Sequence, residues 1–236
     1  MRSGSLRCWL EWAILGFGLP ALIASVSKVV SLIPSAQRGS VELRYVWSLV
    51  GGVLAEWLMV LAIWLLLKHR GQSLKDFGTR GFGTWKAWVL ALSLAGLSIA
   101  SNLRFFPMMG IPISYAFAPR GFHLLAALLT GITAGLCEGF LFRGFLMTEF
   151  AAANYGRTAQ VILPGLSFGF SHLGYSVHGL IAAVGIMVPT AILGMLWGVA
   201  YLLGSRKLLP CVVAHFLNDF TALPWIGFFM FRGSLG

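Results

Sequence analysis

Apolar runs of membrane-spanning length constrain this chain more than any other sequence feature. A helix needs roughly 20 residues to cross a hydrocarbon core of ~30 Å. Only 10% of the residues are charged and 58% are hydrophobic, whereas about a quarter of a soluble domain is charged. We therefore predict an all-α, polytopic transmembrane bundle of about seven spans, with an eighth if one region is broken. The predicted spans are Trp9–Ile33, Val46–Leu67, Trp85–Phe106, His123–Phe150, Gln160–Leu173, Leu180–Leu203 and Leu208–Phe231.

The formal net charge of +10 predicts the orientation of the bundle. In a soluble protein this charge would suggest a nucleic-acid partner, but the positive-inside rule explains it here without one. With the N-terminus inside, we expect an integral multi-pass protein of a prokaryotic cytoplasmic (inner) membrane, with its C-terminus outside. The cytoplasmic side then receives Arg2, Arg7, Lys68, Arg70, Lys75, Arg80, Lys86, Arg157, Arg206 and Lys207, and the other side receives Arg38, Arg44, Arg104, Arg120 and Arg232.

The chain divides at a proline-rich connection into two parts of one integrated membrane domain. Residues 1–120 hold the N-terminal spans, and residues 121–231 hold most of the polar residues found at membrane depth. Arg104–Gly121 contains three prolines and cannot form a continuous helix. Gly131, Gly135 and Gly139 recur at every fourth position, a spacing that predicts close helix packing in lipid.

Several ionisable residues lie within the predicted spans. Glu138 and Arg143 lie on the fourth, His172 on the fifth, and His215 with Asp219 on the seventh. Such residues are costly in a membrane and face the bundle interior or a water-filled cavity, so each is a functional hypothesis. His215 and Asp219 are four apart and share one helix face, with Asn218 as an alternative polar partner. Glu56 lies in the second span, as either a structural or a functional carboxylate.

The spacing of Glu138 and His172 predicts that they lie at one depth. They are 34 residues apart, and their midpoint falls in the turn sequence of residues 152–156. In an antiparallel helical hairpin, residues equidistant from the turn lie level with each other. A carboxylate and an imidazole would then be within reach of a shared water molecule, which is a plausible general-base arrangement.

Three motifs resemble those of the CAAX protease and bacteriocin-processing (CPBP) family of intramembrane endopeptidases. Glu138-Gly-Phe-Leu-Phe-Arg143 resembles the first motif, Glu-Glu-x-x-x-Arg. Phe168-Gly-Phe-Ser-His172 resembles the second, Phe-x-x-x-His, and His215-Phe-Leu-Asn-Asp219 resembles the third, His-x-x-x-Asn. The resemblance covers roughly residues 120–225 and implies that residues 121–231 form a catalytic membrane domain.

The resemblance implies a glutamate-type protease that needs no cofactor. Glu138 and His172 would activate the attacking water, His215 and Asp219 would occupy the positions that stabilise the oxyanion, and Arg143 would support the site. The sequence departs from the motifs at Gly139, which replaces a glutamate, and at Asp219, which replaces an asparagine. We expect Glu56 to compensate for Gly139 by pairing with Arg143, and we expect His215 or Asn218 to act as donor if Asp219 is charged.

Three other functions are open at this stage. Glu138, His172 and His215 could ligate zinc in a metal-dependent protease, although the sequence lacks a His-Glu-x-x-His motif. Gly139 and Asp219 are compatible with a degenerate, non-catalytic family member that acts as an immunity or scaffold protein. Glu56, Glu138 and His172 could form the proton path of a transporter. The expected partners are the lipid bilayer and a membrane-protein or lipidated-peptide substrate, prenylated or not, and the sequence sets no oligomeric state.

Overall fold

The computed structural model describes residues 3–173, 180–221 and 223–233, and that part of the chain is helical without any strand. The α-helices are α1 (Ser3–Glu11), α2 (Phe17–Val30), α3 (Pro34–Arg38), α4 (Val41–His69), α5 (Trp85–Leu103), α6 (Phe122–Thr133), α7 (Met147–Ala152), α8 (Arg157–Phe170), α9 (Leu180–Leu203), α10 (Leu209–Phe220) and α11 (Leu223–Gly233). Two π-helical segments are π1 (Trp12–Gly16) and π2 (Ala134–Leu146).

Within the part of the chain that the structure describes, five helical stretches are long and apolar enough to cross a membrane, which makes the chain an integral membrane protein. The stretch Phe122–Ala152 buries 61% of its most apolar 18-residue window, whereas each of the other four stretches buries only 17–33% of its window. The fourth stretch combines α6, π2 and α7, and it is the central element around which the others pack. The remaining spanning stretches are Leu6–Val30, Val41–His69, Trp85–Met109 and Ala183–Leu203.

Two of the seven predicted spans differ from the structure. The predicted span Gln160–Leu173 is the 14-residue helix α8, about 21 Å long at 1.5 Å per residue. The predicted span Leu208–Phe231 was wrong as one continuous helix, because α10 ends at Phe220 and α11 begins at Leu223. Pro224 has no backbone N–H with which to continue the hydrogen bonding of α10. The total of seven spans and the N-in orientation stay predictions.

The connection before the central stretch is irregular, as its prolines predicted. After α5 ends at Leu103, the chain forms two short 3₁₀ turns, Pro107–Met109 and Ile113–Phe117. The turn predicted at residues 152–156 is present: α7 ends at Ala152, α8 begins at Arg157, and Asn154 between them is left-handed with φ 64°. Asparagine tolerates that conformation better than most residues.

The glycine series packs α10 against the central stretch. A Cβ atom added to Gly131 would lie 3.0 Å from the ring of Phe216, and one added to Gly135 would lie 3.0 Å from the carbonyl oxygen of Val212. At Gly139 the added atom would lie 3.3 Å from a methyl group of Val212. The predicted close packing is confirmed, and Gly139 belongs to the same seam.

A cluster of four charged residues joins the N-terminal spans to the central stretch. Arg7 contacts Glu149 at 3.0 Å and Glu11 at 3.5 Å. Arg70, which follows α4, pairs with Glu11 and lies 3.7 Å from Glu149. Both glutamates are buried, so each arginine offsets the cost of two carboxylates held away from water. These contacts place Arg7 and Arg70 at one end of the bundle, as the charge pattern predicted.

The two arginines of this cluster differ in burial and therefore in their expected contribution to stability. The Arg7 side chain is 50% exposed and that of Arg70 is 17% exposed. Arg70→Gln is expected to lower the free energy of unfolding by about 3–5 kcal/mol, because it leaves buried carboxylates undercompensated. Arg7→Gln is expected to cost no more than about 1 kcal/mol, because an exposed pair is screened by water. Thermal unfolding of both variants in one detergent tests this order, and equal losses would contradict it.

Candidate active site

Three elements supply the polar residues of the candidate site. Glu138 and Arg143 lie on π2, His172 lies in the turn after α8, and His215, Asn218 and Asp219 lie on α10. Pro210 is located in the first turn of α10, where its missing N–H removes no helical hydrogen bond. The glycine seam then holds α10 against π2, so that the polar face of α10 meets Glu138.

The π-helical conformation changes the relation between Glu138 and Arg143. In an α-helix, residues five apart point about 140° away from each other. In a π-helix the hydrogen bond runs between residues five apart, and such segments are frequent at functional sites. The π2 segment therefore presents Glu138 and Arg143 on successive turns. Both side chains are buried, since Glu138 is 8% and Arg143 is 1% exposed.

His215 on α10 lies close to Glu138 on π2 and to Asp219 on its own helix. Its Nε2 atom lies 3.5 Å from Oε2 of Glu138 and 3.6 Å from Oδ2 of Asp219. These distances are long for hydrogen bonds but within the range of an ion pair. The imidazole thus lies between two buried carboxyl groups, one on each packed helix. The i, i+4 pairing of His215 with Asp219 is formed as predicted.

Asn218 holds the second carboxyl group of the site. Its Nδ2 donates a hydrogen bond of 2.8 Å to Oδ1 of Asp219. The two oxygens of Asp219 therefore face two different nitrogens, one on Asn218 and one on His215. The aspartate at this position is paired rather than isolated, which offsets the cost of burying it.

The ring of Phe168 lies close to both His172 and His215. Its centroid is 5.4 Å from the ring of His172 and 5.8 Å from the ring of His215. His172 Nδ1 lies 3.0 Å from the carbonyl oxygen of Phe168 and 3.2 Å from Oγ of Ser171. A hydrogen bond from Nδ1 to that carbonyl assigns the proton to Nδ1, which makes Nε2 the basic nitrogen.

Arg143 supports this aromatic wall and does not form an ion pair with Glu56. Its guanidinium carbon lies 4.3 Å from the ring centroid of Phe168 and 5.3 Å from that of Trp197. Its Nη2 donates to the carbonyl oxygen of Gly194 at 3.5 Å. The predicted pairing of Glu56 with Arg143 was wrong, because no such ion pair occurs among the residues that the structure describes.

Glu56 instead lines a narrow crevice together with Glu138. The other lining residues are four apolar or thiol side chains, Leu19, Met59, Cys137 and Leu141. Oε2 of Glu56 is buried there without a hydrogen-bond partner among the described residues. The second membrane carboxylate of the sequence therefore belongs to the surroundings of Glu138.

Trp197 and Gly194 are site residues that the motifs do not contain. Trp197 is 1% exposed, and its ring lies 4.6 Å from that of His215. A Cβ atom added to Gly194 would lie 2.6 Å from the ring of Phe168. The small-residue spacing of Gly194 and Gly198 indicated helix packing, but nothing in the sequence distinguishes Trp197 from the other tryptophans of the spans.

The zinc alternative has no geometric support in the described part of the chain. No group of three or more His, Cys, Asp or Glu side chains is arranged there to hold a metal ion. His215 approaches Glu138, and the ring of Phe168 lies close to both His215 and His172. The arrangement is better suited to proton transfer and hydrogen bonding than to metal coordination.

Comparison with known proteins supports the three motifs. Residues 119–221 match the family described as Rce1-like, type II CAAX prenyl endopeptidase Rce1-like. This range includes Glu138, His172 and His215, and the match confirms the resemblance found in the sequence. Neither a curated protein nor a solved structure matches the chain.

Gly194 and Gly198 of α9 provide a matched test of the aromatic wall. Gly194→Ala is expected to displace Phe168 and to lower peptidase activity at least tenfold, because its Cβ has no space. Gly198→Ala meets only ordinary contacts at 3.5 Å and beyond, so it is expected to keep activity and to raise stability slightly through helix propensity. Activity and thermal unfolding of the two purified variants distinguish these outcomes. Equal activity of both would contradict the role assigned to Phe168.

Proposed function

Because residues 119–221 match the Rce1-like family, we propose that the chain is a glutamate-type intramembrane endopeptidase of the CAAX protease family. The single observation that carries this proposal is the approach of His215 Nε2 to Glu138 Oε2 at 3.5 Å. It joins the first and third motifs in one buried site. A carboxylate and an imidazole that meet away from bulk water can transfer protons and orient a water molecule.

Glu138 is the proposed general base. It takes a proton from the attacking water while oxygen bonds to the scissile carbonyl carbon, and the proton then passes to the leaving amine. Its burial supports this role, because a carboxylate with little hydration is a stronger proton acceptor than one in water. His172 is the proposed second partner of the water, through the Nε2 atom of the tautomer that Phe168 and Ser171 favour.

His215 and Asn218 are the proposed donors to the oxyanion that forms on the carbonyl oxygen. The charge of Asp219 would repel that oxyanion if it faced it directly. Its Oδ1 accepts from Asn218 and its Oδ2 faces His215, so we assign Asp219 to positioning these two donors. Asn218 has a second N–H on the same nitrogen, which can donate to the substrate. Loss of one oxyanion donor typically lowers the rate about 100- to 1000-fold.

Arg143 and Glu56 are proposed as supporting residues that do not touch the reacting atoms. Arg143 fixes Phe168 and Trp197 by cation–π contacts, and Phe168 in turn fixes both histidines. Glu56 provides a second carboxyl group that lines the same crevice as Glu138.

The proposed substrate is a membrane-associated protein or peptide, and the family points to prenylated CAAX sequences as its class. A prenyl chain on cysteine would hold the substrate at the membrane that the spanning helices cross. The many exposed apolar side chains of the bundle, among them Leu97, Ile181 and Val184, are consistent with a site surrounded by lipid. We propose the prenylated peptide as the first substrate to test.

Substitution of Glu138 tests the proposed chemistry. In vesicles that contain the purified chain and a fluorogenic farnesylated CAAX peptide, Glu138→Gln is expected to lower the rate about 100- to 10,000-fold, the usual contribution of a general base. Glu56→Gln is expected to lower it less, because an amide still fills the crevice and donates hydrogen bonds.

Glu42→Gln is the control for loss of a glutamate, since Glu42 is exposed in the first turn of α4. It is expected to cleave at the wild-type rate. Cleavage by Glu138→Gln at that same rate would reject Glu138 as the base. It would favour a non-catalytic role, which is also suggested by Gly139 at the position of the motif's second glutamate.

A further inference from the structure

A basic groove lies at the end of the bundle opposite to the candidate active site along α8. It has a volume of about 500 Å³ and is lined by residues from the start of α8, the last turns of α9 and the loop that follows. The lining residues are Arg157, Val199, Leu202, Leu203, Ser205 and Arg206. Arg157 precedes His172 by 15 residues, which corresponds to about 22 Å along a helix. The groove is therefore separate from the catalytic residues.

Arg206 is held in place at one side of the groove. Its Nη2 donates to Oε1 of Gln160, whose Nε2 donates in turn to the carbonyl oxygen of Tyr155 at 2.7 Å. Nη1 of Arg206 is buried and has no hydrogen-bond partner among the described residues. The guanidinium of Arg206 is therefore held by Gln160 at a fixed position in the wall of the groove.

The loop backbone is strained in a way that fixes this geometry. Ser205 and Arg206 both adopt left-handed conformations, with φ of 54° and 59°. The N–H of Arg206 donates to the carbonyl oxygen of Tyr201 at 2.9 Å, which closes the end of α9. Two successive non-glycine residues in this conformation are uncommon, and such strain is often kept at functional sites.

The lining has positive charge without a negative counterpart. Two of the six lining residues are arginines, one is a serine, and none is acidic. Neither Arg157 nor Arg206 forms an ion pair within the described ranges. Guanidinium groups and a hydroxyl together are well suited to phosphate oxygens, because they donate several charge-assisted hydrogen bonds.

The apolar wall of the groove continues along the membrane-facing surface of α9. Val199 is 38% and Leu203 is 45% exposed, and the spanning stretch Ala183–Leu203 ends at this level. The groove therefore lies where the hydrocarbon region meets the headgroup region, on the side predicted to be cytoplasmic. Basic pockets at this depth favour anionic phospholipids.

We propose that this groove binds the headgroup phosphate of an anionic phospholipid from the surrounding leaflet. The phosphate lies between Arg157 and Arg206 with Ser205 as a further donor, and an acyl chain lies along Val199 and Leu203. Free phosphate shares the first part of this chemistry, but it makes no use of the apolar wall. The proposal does not depend on peptidase activity.

Binding to lipid measured by native mass spectrometry and by thermal unfolding tests this site. The purified full chain in detergent is titrated with dioleoylphosphatidylglycerol, with dioleoylphosphatidylcholine, or with inorganic phosphate. The anionic lipid is expected to bind and raise the unfolding temperature, whereas the zwitterionic lipid and the free anion are expected to bind at least tenfold more weakly. Equal effects of the two lipids would overturn the proposal. Equal protection by inorganic phosphate would overturn the lipid as the occupant.

Arg157→Gln is the diagnostic variant, because Arg157 is exposed and lines the groove. It is expected to weaken binding of the anionic lipid at least tenfold while leaving the unfolding temperature without lipid unchanged. Arg80→Gln is the matched control, since Arg80 is also an exposed arginine in a loop predicted to lie on the cytoplasmic side. It is expected to bind as the wild type does. Equal loss in both variants would indicate general surface attraction and overturn the groove as the site.

Discussion

The arrangement of the bundle depends on how it offsets buried carboxyl groups. A carboxylate inside an apolar bundle is costly unless it is paired or hydrogen-bonded. His215 lies between Glu138 and Asp219, and Asn218 donates to Asp219. These contacts require α10 to approach π2 closely, and the glycine seam permits that approach. Packing and chemistry are therefore coupled, because the contact that stabilises the carboxyl groups also forms the site.

The sequence predicted the polar constellation because its residues are ionisable groups in apolar runs. That contrast predicted Glu138, Arg143 and His215, and the i, i+4 spacing predicted the pairing of His215 with Asp219. The sequence could not predict the direction of the Arg143 side chain, since the same apolar pattern fits a π-helix and an α-helix. The aromatic contacts of Arg143 and the crevice shared by Glu56 and Glu138 are tertiary features, and helix periodicity contains no information about them.

The predicted spans show the same limit. Length and hydropathy correctly predicted the long helices. They also predicted that α8 spans the membrane and that α10 and α11 form one continuous helix, and the structure differs at both places. Pro224 gives a local reason for the break, whereas the ion cluster of Glu11 and Glu149 at one end of the bundle could not be found from separate apolar runs. Charges that are distant in sequence were interpreted as orientation signals, and two of these arginines also connect helices.

The central claim is that Glu138 and His215 act as one catalytic unit. A double-mutant cycle tests it most directly: the rate of peptide cleavage is measured for Glu138→Gln, for His215→Ala and for the double variant in the same vesicles. Residues that act as a unit have strongly non-additive effects. We predict that the double variant is no more than about tenfold slower than the slower single variant. Losses that multiply fully, or an unimpaired single variant, would contradict the claim.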